Sequence, residues 1–427
     1  MPSRYFKNKN FLSLLLGQMF YHASHSFGWS LFPVYILSLG FSVNDFMWFY
    51  ALVFLSATLS LLLVREEETR WVLVKGMLIR FAMLVLVFHF FWKWQLWIVA
   101  VAYGLFWSLF WIAYNLRYFE LSSVSGTAFA SALNSAISPL VSVAVPLVTG
   151  VLTVSLGYSS SLMVSAFFLF LAVLAFRKVP RRKISYDLSK SLGSVSSIWP
   201  AILVEGIWQV SFYVVMPVVT LSYLKSAISY GAFLSYVGLL GVFASFILSR
   251  LSDKYKNRSV FLYPLALLMA AFTAISSLSN SVFSWVLLVG LFNLFRAMVS
   301  PLMMAVAVDV SKNLEDVMFA REFLFMVGRL IGMSIVLASI YIFNNINLSL
   351  FFIGSLAMFY PFLVFRSGIY KELDARMRYR VHNRFRVMIK IWFSAPLMFF
   401  PSYIRRRWSS MRIFWKELKI ASVLRRK

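Results

Sequence analysis

Few side chains in this 427-residue chain could do chemistry, and those that could are set within long apolar runs. Glu205 and Gln209 lie four apart in one run, and Tyr21 and His25 lie four apart in another. That spacing puts each pair on one face of a helix. A carboxyl desolvated in such a run can bind and release a proton, so Glu205 is the first candidate for proton coupling. The other reading makes it the structural partner of Arg296. His22 and His25 are candidates for substrate contacts or pH-sensitive gates, or for hydrogen bonds between packed helices. Arg296, five residues before Pro301, needs an anion, a carboxylate or carbonyls around it. It either holds an anionic substrate group or pairs with Glu205 or Glu322. Trp208 and Tyr213, on the run that carries Glu205, could stack on a cargo. Glu322 and Arg329 are seven apart and share a face, which reads as a gating charge network that includes Asn115.

The elements that must position these residues follow from hydropathy. Twelve apolar runs are each about the length that crosses a bilayer as a helix. They are Phe11–Leu39, Asp45–Val64, Trp71–Phe91, Gln95–Leu116, Ala128–Ser155 and Ser159–Phe176, then Ile198–Tyr223, Tyr230–Leu248, Val260–Leu278, Val282–Val308, Met318–Phe343 and Leu348–Phe365. Their apolar character is continuous rather than alternating, which favours helices over a barrel. Hydrophobic residues make up 61% of the chain and charged residues 13%, so lipid is the solvent that such a surface requires. The first run is too long for a signal-peptide core and is expected to be retained.

Charge then orients the bundle. Nineteen Lys and Arg lie at the N-terminus and in or beside the even-numbered gaps, whereas the odd-numbered gaps hold only Lys93 and Lys225. Basic loops stay cytoplasmic, so both ends are expected on that side of a cell membrane. There is no cysteine, which excludes disulfides, thiolate catalysis and cysteine-held metal. No phosphate-binding loop occurs, so an ATP-driven pump within this chain is not expected. No cofactor is implied, and no catalytic constellation converges.

The two halves look alike. Pro33 and Pro217 are 184 positions apart, and the same offset maps Tyr21 onto Glu205 and His25 onto Gln209. It also maps the turn Arg65–Thr69 onto Ser249–Asp253. The expected division is residues 1–10, a first six-helix bundle over 11–176, a basic linker over 177–197, a second bundle over 198–365 and a basic tail over 366–427. The fold class is thus an all-α integral membrane protein of twelve helices in two pseudo-symmetric bundles. The turn after the eighth run reads Ser249-Arg250-Leu251-Ser252-Asp253-Lys254-Tyr255-Lys256-Asn257-Arg258. With Leu251, Asp253, Lys254 and Arg258 in place, it resembles the G-x-L-x-D-[RK]-x-G-[RK]-[RK] turn of the major facilitator superfamily. Ser249 and Lys256 replace that turn's glycines, and Arg65–Arg70 lacks the pattern. The resemblance implies a secondary transporter working by alternating access on a small solute, with Asp253, Lys254 and Arg258 clamping helices across the halves. A lipid or lipid-linked glycan flippase, and a non-transporting scaffold or sensor, stand as rival readings.

From Arg366 the chain carries 17 Lys and Arg against Glu372, Asp374 and Glu417. Trp392, Phe399, Phe400 and Trp408 give this tail an amphipathic cast. It is expected to lie on anionic lipid headgroups, each basic residue gaining about 1 kcal/mol there, rather than on nucleic acid.

Overall fold

The computed structural model describes residues 8–90, 92–122, 134, 137–254, 259–310 and 313–370, without the side chains of 246, 248–254 and 259. Residues 371–427 of the tail and Arg258 therefore lie outside the described residues, while the start of the expected tail continues a helix to Ser367. Asp253 and Lys254 end a described helix, but their side chains are not described.

The chain is built of helices: α1 (Lys9–Trp29), α2 (Phe32–Ser38), α3 (Val43–Leu63), α4 (Thr69–Phe88), α5 (Lys93–Leu121), α6 (Val145–Leu156), α7 (Tyr158–Phe176) and the short α8 (Leu188–Ser194). The second half holds α9 (Trp199–Val210), α10 (Met216–Tyr223), α11 (Ala227–Lys254), α12 (Ser259–Ser276), α13 (Val282–Val310), α14 (Leu314–Phe343), α15 (Asn347–Ala357) and α16 (Tyr360–Ser367). Among the described residues ten helical stretches are long and apolar enough to cross a membrane, and Val260–Ser276 is a shorter apolar helix. Those residues form a multi-span membrane protein.

Sequence sets the helix ends. The Asn8 carboxamide oxygen accepts from the backbone of Asn10 and Phe11 at the start of α1. Ser42 and Asp45 form a reciprocal capping box on α3. Asn344 closes α14 in the left-handed region (φ 49°), which its short polar side chain tolerates.

Pro33 and Pro217 do the same local job in each half. Pro33 opens α2 after the first run has broken at Ser30–Leu31, so that run is two helices rather than one. Pro217 opens α10 directly after a π-helical turn at Ser211–Val215. A proline has no N–H to donate and crowds the preceding turn, so the regular ladder gives way just before it. The two irregularities matter because they fall where the halves face one another.

Within the first half α1 packs on α7 and α5 packs on α3 and α4; within the second, α9 packs on α14 and α12 on α13 and α15. Two seams join the halves. At one, α11 crosses α6 and the residues just before it, with Gly231 and Gly238 seven apart. A Cβ on Gly238 would meet the Ser142 backbone at 2.5 Å. Small residues let membrane helices approach this closely. At the other seam α14 lies on α3 and α5. Gly206 of α9 and Gly328 of α14 bring those two helices equally close, since a Cβ on Gly206 would stand 2.7 Å from the Phe325 carbonyl.

The linker departs from the all-helical expectation. β1 (Glu66–Glu68) and β2 (Lys183–Ser185) pair antiparallel, Glu66 opposite Ser185. The turn expected to mirror Ser249–Asp253 is therefore a strand edge. It takes up the linker because its backbone groups, unlike a helix's, are free to pair outward. α8 then packs on α14.

Candidate functional site

A cavity of about 300 Å3 lies between the halves. His22, His25 and Trp29 of α1 contribute to it, with Tyr50 of α3 and Tyr103 of α5. Ser138 and Ser142 come from the approach to α6; Phe212 and Tyr213 from the π-turn; Asn293 and Arg296 from α13. Pro33 and Pro217 both line it. Trp29 and Ser30 lie at the break in the first run, and Phe212 and Tyr213 lie within the π-turn. No described Asp, Glu or Lys lines the cavity.

Arg296 is the one arginine in its described lining. Its Nε donates to Asn293 Oδ1 at 3.2 Å, and its guanidinium sits 4.5 Å from the Phe212 ring centroid. Among the described residues it meets no carboxylate, so the expected pairing with Glu205 or Glu322 is not what the fold makes.

Glu205 lies elsewhere. It is buried in α9 and accepts a hydrogen bond from Arg321 Nη2 of α14 at 3.0 Å. One turn on, Gln209 Oε1 accepts from Arg329 Nε at 2.9 Å and from Arg329 Nη2. Glu322 Oε1 stands 3.8 Å from Arg329 Nη1, an ionic contact too long for a hydrogen bond. The matched pairs of the two halves therefore have different fates. Tyr21 and His25 stack together in the first half, their ring centroids 5.9 Å apart. Glu205 and Gln209 instead anchor two arginines of α14. Trp208 also turns away from the cavity, donating its Nε1–H to Thr273 at 3.2 Å inside the second half. That position does not support cargo stacking by Trp208, whereas Tyr213 lines the cavity. Asn115 sits well inside α5, which runs on to Leu121, rather than at its end.

Arg329 is the pivot of the seam. Its guanidinium carbon lies 4.6 Å from the Trp107 ring centroid, 5.6 Å from Tyr213 and 5.8 Å from Phe54. Trp107 and Phe54 belong to the first half, so a cation of one half is boxed by rings of the other. Trp107 also meets Tyr213 edge-on, at 4.9 Å and 89°. These residues stand midway along their helices.

Towards the end that bears the linker, a second layer closes. Arg182 bridges Glu120 at the end of α5 and Glu315 at the start of α14, the latter at 2.9 Å. Ser185 N–H donates to Glu315 at 2.6 Å, and Lys190 pairs with Asp316 at 3.0 Å. That hydrogen bond raises the Lys190 pKa. Tyr186 meets Phe319 at a tilt, ring centroids 4.9 Å apart, and burial pushes its phenol well above the usual range. Sequence reading placed a gate among Glu322, Arg329 and the 253–258 turn. It missed Glu120, Arg182 and Glu315, whose only advance signal was their charge in loops of the basic side. It also missed Trp107, which looks like any other aromatic of an apolar run.

The arrangement is a mostly apolar cavity, with no acid in its described lining, on one side of a cation–aromatic seam, and an ion-paired latch on the other. The sequence profile of the Major Facilitator Superfamily matches residues 14–333. No curated protein sequence matches the chain. Among solved structures, the human organic anion transporter MFSD10 (TETRAN) has a similar fold, with a TM-score of 0.64 and 13% identity. The alignment covers 83% of this chain and 99% of that one. With the profile spanning most of its length, the chain belongs to the major facilitator superfamily and is a membrane transporter.

Proposed function

We propose that this transporter moves a small organic anion across the cell membrane by alternating access, with the linker side cytoplasmic. The observation that carries the reading is Arg296. It borders the cavity, and its described contacts are one carboxamide and one aromatic face. A charged side chain at membrane depth costs about 2.5–3.5 kcal/mol on insertion scales, a cost that an arriving anion offsets. The cavity's aromatic walls suit an apolar body attached to that charge. The description of the human structural neighbour as an organic anion transporter points the same way, by analogy of fold alone. The conformation fits one half of the cycle: the linker-side seam is locked, and the cavity lies beyond it. Glu205, held by Arg321 outside the cavity, belongs to the lock in this reading rather than to the cargo site. The driving force is an ion gradient or the cargo's own.

Proteoliposomes test this by counterflow. Vesicles loaded in turn with aryl and alkyl carboxylates, sulfonates, matched amines and neutral amides should accumulate only labelled anions, saturably. Arg296→Gln should raise the half-saturating concentration at least about tenfold, the worth of one hydrogen bond to a charged group. Arg296→Lys should retain part of the activity. Flux of amines or amides alone, lipid translocation without solute flux, or an indifferent Arg296→Gln would overturn the reading.

A further inference from the structure

Arg80 of α4 is a further buried cation, 2% exposed, that belongs neither to the seam nor to the latch. Its Nη2 lies 3.0 Å from His25 Nδ1. Its Nη1 is buried and has no hydrogen-bond partner among the described residues. Its guanidinium carbon sits 5.0 Å from the Trp29 ring centroid, 5.1 Å from Tyr103, 5.3 Å from Phe106 and 5.8 Å from Tyr21. No described carboxylate pairs with it.

The chemistry of this contact has one solution. Arginine donates and never accepts, and it keeps its charge. Nδ1 of His25 must therefore present a lone pair, which puts the ring proton on Nε2. His25 lines the cavity, and its Nε2 has no described protein partner. We propose that His25 is a cargo-binding residue, fixed by Arg80 as a hydrogen-bond donor, so that the anion is gripped from both halves: Arg296 on one side, His25 on the other. Arg80 is a positioning residue. Its uncompensated charge behind the ring polarises the Nε2–H towards an acceptor. The cargo's charged group thus carries at least two acceptor oxygens, as carboxylates, sulfonates and phosphate esters do. An ammonium finds no acceptor at His25 and two cations nearby. This deepens the function proposed above and rests on it.

The test uses the full chain labelled with 15N-histidine, which has only four histidines to assign, and 1-naphthoate as the probe. The His25 signals, identified by their loss in His25→Gln, should show a protonated Nε2 and a bare Nδ1, and should shift on adding 1-naphthoate. His25→Leu should weaken naphthoate binding at least about tenfold, and His25→Gln, whose amide N–H can stand at the Nε2 position, should recover part of that loss. Arg80→Met should weaken binding and mix the His25 tautomers; Arg80→Lys, which restores a donor, should re-establish the single tautomer. If Arg80→Met does not fold, the wild-type nitrogen shifts and the His25 variants decide alone. A protonated Nδ1 in the wild type, or naphthoate binding that needs Arg296 but ignores His25→Leu, overturns this inference and leaves the proposed function intact. The absence of any Arg296-dependent anion binding overturns both.

Discussion

Replacing Trp107 with Leu should release the lock on the linker side. Trp107 makes two contacts that exist only while the halves meet at mid-depth: the Arg329 guanidinium at 4.6 Å and the edge of Tyr213 at 4.9 Å. A desolvated cation–π contact contributes about 2 kcal/mol, and an edge-on aromatic pair about 1 kcal/mol beyond its buried area. Both would be absent when the seam parts, so the substitution removes roughly 2–3 kcal/mol from this state alone. That shifts the ratio of the two states by roughly 30- to 150-fold. A wild-type ratio of about ten to one would be inverted by such a shift. The absence of cysteine makes the assay clean, because Ser142→Cys, which lines the cavity, then carries the molecule's one thiol. A membrane-impermeant maleimide supplied from the side opposite the linker should label it quickly in the parent and several-fold more slowly with Trp107→Leu. Adding Arg329→Met completes a double-mutant cycle, in which the pair should show a coupling of about 2 kcal/mol. Unchanged labelling in a Trp107→Leu protein that unfolds at the parental temperature would refute the seam as the determinant of the state.

Two further outcomes separate the layers. Arg182→Gln removes the bridge between Glu120 and Glu315, but Arg182 is 37% exposed. Exposed pairs contribute about 0–1 kcal/mol each and weaken with salt. The same thiol should therefore report a shift of less than about tenfold, which 1 M salt largely reproduces in the parent protein; a salt-insensitive collapse of labelling would contradict this. Glu205→Leu leaves Arg321 buried and unpaired, so thermal unfolding should show a loss of about 3–5 kcal/mol, much of it regained in Glu205→Leu/Arg321→Met. A double variant no more stable than the single one would show that the pair is not the reason for the loss.

The contrast between these layers shows what a linear sequence can convey. Helices, their order and the basic side follow from runs of apolar residues and from where Lys and Arg fall, since each property is local along the chain. The offset between Pro33 and Pro217 likewise marked the two places where the cavity wall is irregular, because proline disturbs its own helix whatever surrounds it. The expected partners of Glu205 and Arg296 were another matter. Sequence could say that each needed a counter-charge at membrane depth. It could not say that α14 would bring Arg321 to Glu205 and Arg329 to Gln209, leaving Arg296 with the cavity. That choice depends on the rotation and close approach of α9 and α14, which Gly206 and Gly328 permit. Arg80 falls within the third apolar run, but its role needed the position of His25, 55 residues earlier.

What the chain determined by itself is therefore the class of molecule: a lipid-embedded bundle of helices, repeated in two halves and carrying a handful of polar groups that lipid would not tolerate. What only the tertiary structure decided is which of those groups satisfy one another and which are left lining the cavity. The physical reason is that the cost of a buried charge is a property of one residue, whereas its cancellation is a property of two, set by helix packing over distances that no spacing in the sequence encodes.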